Sequence, residues 1–133
     1  MSNLLSKWPS FSKEEVNAVA NVLTNGNVNY WTGNEVKGFE NDFKKYLNCN
    51  YAIALSNGSV ALDLAYKSLG IREGDEVITT SRTFIATASS IVLTGAKPIF
   101  ADVDLISGCI TAESIGPLIN DKTKAISVVH LGG

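Results

Sequence analysis

Apolar residues recur at intervals of three and four positions near the start of the chain, which predicts an amphipathic helix over residues 12–24. The residues of its apolar face are Val16, Val19, Ala20 and Leu23. Ser12 and Glu15 are spaced as a capping box at the helix start, and Gly26 follows its end, as glycine often does. The pattern therefore defines both ends of the first helix.

A second helix is predicted after a polar and aromatic loop over residues 27–34. Its apolar face is formed by Val36, Phe39, Phe43 and Leu47. Gly38 lies inside this helix, where a glycine costs about 1 kcal/mol relative to alanine. We expect the close approach of another backbone to explain this glycine. The two helices together predict an N-terminal helical segment over residues 1–50.

After residue 50 the pattern changes, and short apolar runs alternate with helical patterns. Strands are predicted at residues 51–55, 76–80, 97–101 and 124–129. Helices are predicted at residues 59–69 and 83–94, with a weaker one at residues 113–119. Such alternation is typical of βαβ units, so we expect an α/β fold with a parallel sheet and flanking helices on both faces.

The turn after the first strand is a candidate binding site, because ligands bind beyond the carboxyl ends of parallel strands. Its sequence is Ser56-Asn57-Gly58-Ser59, and a helix follows. Gly58 would let a ligand approach the backbone, and the amides of Ser59 and Val60 are expected to be free at the helix start. These amides, the Ser59 hydroxyl and the helix dipole suit a phosphate group. The alternative is a simple turn with a serine cap.

Further candidates follow the other strands. Phe84 comes just after the second strand, where its ring either stacks on a flat ligand or fills the core. His130, the only histidine, follows the fourth strand and either faces a ligand or is satisfied by backbone hydrogen bonds. Asp102 and Asp104 follow the third strand, and we interpret them as caps of a loop rather than as an acid/base or metal pair.

Composition and charge narrow the range of partners. The chain has 133 residues, a net charge of -2 and no basic cluster, so nucleic acid is not expected as a partner. Its apolar runs are far shorter than the roughly 20 residues that span a bilayer, so no membrane partner is expected. Cys49 and Cys109 lie far apart without metal-ligand spacing, which indicates a reduced, cytoplasmic chain without a metal site.

Taken together, three stretches resemble the DegT/DnrJ/StrS-type sugar aminotransferases, which are pyridoxal-phosphate (PLP) enzymes of fold type I. The stretches are YWTGNEVKGFENDFKKYL, AIALSNGSVALDLAYKSLGIREGDEVITTSRTFIATASSIVLTGAKPIFADVD and TKAISVVHLGG. They cover nearly all of the chain from residue 30 onward, in the family's order and spacing. The resemblance implies that residues 51–133 are the first part of a fold-type-I large domain, and that more of the domain follows Gly133.

The resemblance also implies a PLP site. Gly58, Ser59 and Val60 match the family's Gly-Thr-Ala turn, which holds the cofactor phosphate, and Ser59 retains the hydroxyl. Phe84 matches the aromatic residue that stacks on the pyridine ring. No catalytic residue is assigned in this sequence: the Schiff-base lysine and the aspartate that pairs with the pyridine nitrogen are expected beyond residue 133. None of the lysines present closely follows the carboxyl end of a predicted strand.

For the whole protein, the resemblance implies transfer of an amino group, from a donor such as glutamate, to a keto-deoxysugar carried on a nucleotide. Trp31 and Thr32 lie in a loop near the family's active site and are expected, with His130, to contact this substrate. A homodimer is expected, with products used in surface polysaccharide, such as lipopolysaccharide, or in glycosylated metabolites. Two alternatives stay open: a PLP-dependent sugar dehydratase, in which histidine replaces the lysine, and a non-catalytic chain that retains the fold.

Overall fold

The computed structural model describes residues 8–132 of the chain. These residues form two compact units, one ending at Ala54 and the other beginning at Leu55. All of the described strands belong to the second unit. None of the helices described in either unit is long and apolar enough to cross a membrane.

In the first unit, helix α1 spans Lys13–Asn25, and its ends confirm the prediction from the sequence. Both hydrogen bonds of the capping box are present: the Glu15 amide donates to Ser12 Oγ at 3.2 Å, and the Ser12 amide donates to Glu15 Oε2 at 2.6 Å. Gly26 follows the helix with a φ of 75°, a left-handed conformation that glycine adopts without strain. Local sequence therefore determines where this helix begins and ends.

Helix α2 of the same unit spans Glu35–Tyr46 and carries the predicted apolar residues. Phe39 and Phe43 stack along it with ring centroids 5.4 Å apart. The expectation of a close backbone at Gly38 is wrong, because a Cβ atom added there would meet no described atom within 4 Å beyond its own helix. Gly38 is exposed, so its effect on the described structure is the lower helix propensity of glycine alone.

The second unit consists of alternating helices and strands. Its strands are β1, Glu76–Thr80; β2, Lys97–Ala101; and β3, Thr123–Ile126. Its helices are α3, Gly58–Ser68; α4, Ala86–Leu93; and the short α5, Ala112–Ile115, which continues into a 3-10 turn, Gly116–Leu118. The strands form one sheet in the order β2-β1-β3, and β1 pairs in parallel with both neighbours. This arrangement confirms the predicted α/β fold with a parallel sheet and flanking helices.

The core of the second unit lies between the sheet and two of its helices. Val77 of β1 is fully buried and packs with Tyr66 of α3 and Ile91 of α4. The Tyr66 hydroxyl donates to Ser127 Oγ at 2.8 Å, so this polar group is satisfied as it enters the core. Burial of these side chains holds α3 and α4 against β1.

Two of the strand predictions need correction. The predicted strand at residues 51–55 is absent: Tyr51 is 86% exposed, Ile53 is 73% exposed, and no described segment pairs with them. A strand exists only where a neighbour completes its hydrogen-bond ladder, which an apolar run alone cannot provide. The fourth predicted strand is shorter than expected, because β3 ends at Ile126 rather than at residue 129.

Candidate active site

A cavity of about 670 Å³ in the second unit brings together Gly58, Ser59 and Phe84, three of the residues singled out in the sequence. The complete lining is Gly58, Ser59, Ala61, Leu62, Ala65, Phe84, Ala86 and Thr87. None of these side chains carries a charge, and Ser59 and Thr87 contribute hydroxyl groups. The volume lies within the usual range of small-molecule sites, about 300–1,000 Å³. The cavity is therefore large enough for a small molecule.

The start of α3 supplies the anion-binding end of this cavity. Gly58 and Ser59 are the first two residues of α3, and their amides have no hydrogen-bond acceptor among residues 8–132. Free amides and the positive end of the helix dipole together favour a phosphate at this position. Gly58 does not have a positive φ, and a Cβ atom added to it would meet nothing within 4 Å. Gly58 is therefore not required by a strained backbone, and the space beside it is open to a ligand, as expected from the sequence.

Asn57 caps α3 and changes the expected role of Val60. The Asn57 backbone is extended, and its Oδ1 accepts the Val60 amide at 3.0 Å. The expectation of a free Val60 amide is wrong, because Asn57 already satisfies this donor, and Val60 does not line the cavity. The alternative of a serine cap is also wrong, because the capping side chain belongs to Asn57. An asparagine directly before the Gly-Ser pair was the available signal, since asparagine is among the best N-cap residues.

Replacing Asn57 with alanine tests this cap. We expect the change to destabilise the first turn of α3 by about 1 kcal/mol, because the Val60 amide loses its acceptor. Amide hydrogen exchange at Val60 measures the effect. Asn17→Ala is the matched control, since Asn17 is exposed inside α1 and caps nothing. Unchanged exchange at Val60 in Asn57→Ala would show that water or another group replaces the cap without loss.

Phe84 forms the aromatic side of the cavity. It lies between β1 and α4 and is 71% exposed, so the interpretation as an ordinary core residue is wrong. The segment around it is held at both ends: the Arg82 amide donates to Thr80 Oγ1 at 3.0 Å, and the hydroxyls of Thr83 and Thr87 lie 2.9 Å apart and share a hydrogen bond. An exposed aromatic ring on a held segment is suited to stacking on a flat ligand.

The first unit carries the candidates Trp31 and Thr32 on a hydrogen-bonded loop before α2. Asn29 Oδ1 accepts the amides of Trp31 and Thr32 at 2.9 and 3.1 Å, and the Gly33 amide donates to the Asn29 carbonyl at 2.8 Å. Trp31 is 86% exposed and its ring lies edge-on to that of Tyr30, with centroids 6.0 Å apart. The loop therefore presents Trp31 to solvent from a fixed frame. Substrate contact by Trp31 and Thr32 stays a prediction.

The remaining polar candidates lie outside the lining of the cavity. His130 is exposed and follows the end of β3 by four residues, and its contact with substrate stays a prediction. Asp102 Oδ1 accepts the Val103 amide at 2.8 Å, and Asp104 Oδ1 accepts the amides of Ile106 and Ser107 at 3.1 and 2.8 Å. These contacts confirm that the two aspartates cap a loop.

The titration of Asp104 agrees with that role. Hydrogen bonds from the Ser107 amide and then from its hydroxyl lower the pKa of Asp104 below the ordinary value, because they stabilise the carboxylate form.

Within residues 8–132 no group of three or more His, Cys, Asp or Glu side chains is arranged to hold a metal ion.

The described lysines lie away from the cavity that contains Phe84. None of the described lysines lines the cavity beside Gly58 and Phe84. Lys97 is the first residue of β2 and Lys124 is the second residue of β3, so both lie at the amino-terminal edge of the parallel sheet. Phe84 follows the carboxyl-terminal end of β1, at the opposite edge. Lys7 lies outside the described residues.

Comparison with solved structures gives three informative relatives. An aminotransferase from Psychrobacter cryohalolentis is 53% identical over 96% of this chain, with a TM-score of 0.93, and 32% of its own length is covered. NtdA from Bacillus subtilis, solved with bound cofactor PMP, is 32% identical over 91% of this chain, with a TM-score of 0.82 and 28% of its length covered. Spr1654 from Streptococcus pneumoniae, assigned as a sugar aminotransferase and solved in its PMP form, is 28% identical over 94% of this chain, with a TM-score of 0.84 and 31% of its length covered.

These comparisons agree in fold and in the part of the relative that they match. The chain spans about a third of the length of these solved proteins. The model of the DegT/DnrJ/EryC1/StrS aminotransferase family matches residues 9–133, which is nearly the whole chain. The chain therefore belongs to the DegT/DnrJ/EryC1/StrS aminotransferase family.

Proposed function

We propose that the full-length protein, meaning this chain continued to the length of its relatives, is a PLP-dependent sugar aminotransferase. The observation that carries this proposal is the cavity in which the free amides of α3 face the space beside Phe84. Membership of an aminotransferase family and the PMP bound by NtdA and Spr1654 support the same cofactor here. The acceptor we propose is a keto-deoxysugar on a nucleotide, and the donor is an amino acid such as glutamate.

The residues of the cavity fit PLP in size and in polarity. The amides of Gly58 and Ser59 and the Ser59 hydroxyl would hold the phosphate, whose negative charge the dipole of α3 favours. The exposed ring of Phe84 would stack on the pyridine ring. Val60 belongs to the proposed phosphate turn through its position in α3, but its amide would bind phosphate only after releasing Asn57. Because no charged side chain lines the cavity, the proposed phosphate contacts come from backbone amides and a hydroxyl group.

In the proposed mechanism, this chain positions the cofactor and the protein beyond it supplies the reactive groups. When bound, PLP would serve as an electron sink for the carbon atom that gains or loses the amino group. The start of α3 would anchor the cofactor at its phosphate, and Phe84 would hold the orientation of the ring. The lysine that moves protons and the aspartate at the pyridine nitrogen are proposed to follow residue 133.

The substrate contacts, the assembly and the location are also proposals. Trp31 and Thr32 would contact the sugar nucleotide, with Trp31 offering an exposed ring for stacking, and His130 would supply a polar contact. The exposed rings of Tyr30 and Trp31 favour a homodimer in which this loop lies at a surface shared by the two protomers and the substrate. Both cysteines are free thiols, which supports a cytoplasmic location. We further propose a domain boundary after residue 50, with residues 51–133 forming the first part of the PLP-binding domain.

Borohydride reduction in the presence of PLP tests the proposal. The 133-residue chain alone is expected to give no stoichiometric pyridoxyl adduct and no transaminase activity, because no described lysine lines the cavity. The full-length protein is expected to give one adduct on a single lysine beyond residue 133, detected by peptide mass spectrometry. An adduct on one specific lysine of the 133-residue chain would contradict this assignment. Conversion of a sugar nucleotide without amino transfer would indicate the dehydratase instead.

A further inference from the structure

Glu40 of α2 connects two separate segments of the first unit. Its Oε1 accepts the amide of Ala54 at 2.9 Å, and its Oε2 accepts the hydroxyl of Tyr30 at 3.5 Å. Glu40 is half-buried and forms no ion pair with any described cation. The contact with Ala54 satisfies a backbone donor that has no strand neighbour, and a carboxylate is a strong acceptor for it. One oxygen thus holds the side chain in place while the other faces the aromatic loop.

Tyr30 is held from the same helix by a second group. The Nζ atom of Lys37 lies 5.3 Å from the centroid of the Tyr30 ring, within the range of a cation–π interaction. Lys37 and Glu40 are three residues apart in α2, so they reach the ring and the hydroxyl of Tyr30 from one helix face. The hydroxyl contact is long, and the two interactions together hold the side chain better than either would alone.

The position of Trp31 depends on this anchorage. The internal hydrogen bonds of the loop all involve Asn29, so they keep the loop rigid without attaching it to α2. The Trp31 ring packs edge-on against the Tyr30 ring, so the position of Tyr30 restricts where the exposed tryptophan can lie. Without the anchor on α2, these hydrogen bonds would open more often and Trp31 would no longer be held in one direction.

We propose that Glu40 is a positioning residue that fixes the direction of the Tyr30–Trp31 loop for binding of the sugar nucleotide. Lys37 contributes through its contact with the Tyr30 ring. The substrate part of this inference rests on the proposed function. Both Glu40 oxygens accept hydrogen bonds from the protein itself, so we assign Glu40 to positioning rather than to contact with cofactor or substrate. Its effect on the reaction would be exerted through Trp31, at the step where substrate binds.

Amide hydrogen exchange of the full-length protein tests the anchorage without any ligand. Glu40→Ala is expected to raise exchange about tenfold at Ala54 and at the loop amides of Trp31 and Thr32, because a charge-assisted hydrogen bond is lost. Glu40→Gln is expected to stay near the wild type, since its amide oxygen accepts from Ala54 and its amino group donates to Tyr30. Asp42→Ala is the matched control, because Asp42 lies on the same helix and pairs only with Lys45 at the surface.

Titration with UDP-glucose and dTDP-glucose, followed by tryptophan fluorescence, tests the substrate part. Glu40→Ala is expected to weaken binding of the probe about tenfold and to leave PLP affinity unchanged, with Glu40→Gln restoring the binding. A variant that changes only the melting temperature, with wild-type loop exchange, would overturn the inference. If Glu40→Ala unfolds, Tyr30→Phe replaces it and should raise exchange in the loop but not at Ala54.

The two proposals fail in different ways. If the wild type binds neither probe and forms no amino-transfer product, the proposed function fails, while the exchange data still decide whether Glu40 anchors the loop. If the wild type binds a probe and Glu40→Ala binds it equally well with a loosened loop, the proposed function survives. In that case Glu40 has no role in positioning the substrate.

Discussion

Replacing Gly58 with valine is expected to lower the PLP affinity of the full-length protein at least about a hundredfold, which corresponds to about 2.7 kcal/mol of binding free energy. A side chain at this position would occupy the open space at the first turn of α3, where the phosphate is proposed to lie. The phosphate would then lose its approach to the Gly58 and Ser59 amides together. Stability should stay near the wild type, because Gly58 has no positive φ and its added Cβ meets no described atom.

Two matched variants separate this effect from a general disturbance. Ser59→Ala removes one hydroxyl donor and leaves the amides and the dipole, so it should cost about 1 kcal/mol, or roughly fivefold in affinity. Gly116→Val changes another exposed glycine that has open space around it and should leave PLP affinity unchanged. Fluorescence or absorbance titration with PLP measures all three. Equal affinity of the wild type and Gly58→Val would refute the phosphate assignment at α3.

Replacing Gly33 with alanine is expected to destabilise the aromatic loop of the first unit by about 2 kcal/mol or more, in the manner of an overpacked core. Gly33 is buried, and a Cβ atom added to it would lie 2.5 Å from the Asn27 carbonyl oxygen and 3.0 Å from that of Asn29. Both neighbours are backbone atoms, so relief requires the loop itself to shift. The shift would break the Gly33–Asn29 hydrogen bond and displace Trp31.

Gly38→Ala is the control for this prediction, because the same substitution is made nearby in an open environment. No described atom beyond its own helix lies within 4 Å of the added Cβ, and alanine favours a helix interior by about 1 kcal/mol relative to glycine. The two variants should therefore change stability in opposite directions. Thermal unfolding and amide exchange of residues 29–33 measure the difference. A Gly33→Ala protein with wild-type exchange in this loop would show that the loop is not rigid enough to orient Trp31.

Much of the fold could be predicted because it depends on neighbours in the sequence. The ends of α1 follow from Ser12, Glu15 and Gly26, which act on the backbone within one helical turn. The alternation of helices and strands in the second unit follows from hydrophobic periodicity, because each element must bury one face. Phe84 could be singled out because it follows the carboxyl end of a strand in a parallel sheet. Gly58 and Ser59 could be singled out because they begin a predicted helix, although the strand expected before them is absent.

Other features depend on residues that are distant in the sequence, and only the tertiary structure decided them. Whether residues 51–55 form a strand depends on a neighbouring strand, and the described chain provides none. Glu40 acts through Tyr30 and Ala54, which lie ten residues before it and fourteen after it. The sequence by itself determined the helices of both units, the three strands after residue 75 and the residue types of the site, because these follow from short-range backbone preferences and hydrophobic periodicity. The tertiary structure decided which donors are free, which glycines are crowded and which rings are exposed, because each of these depends on atoms that only folding brings together.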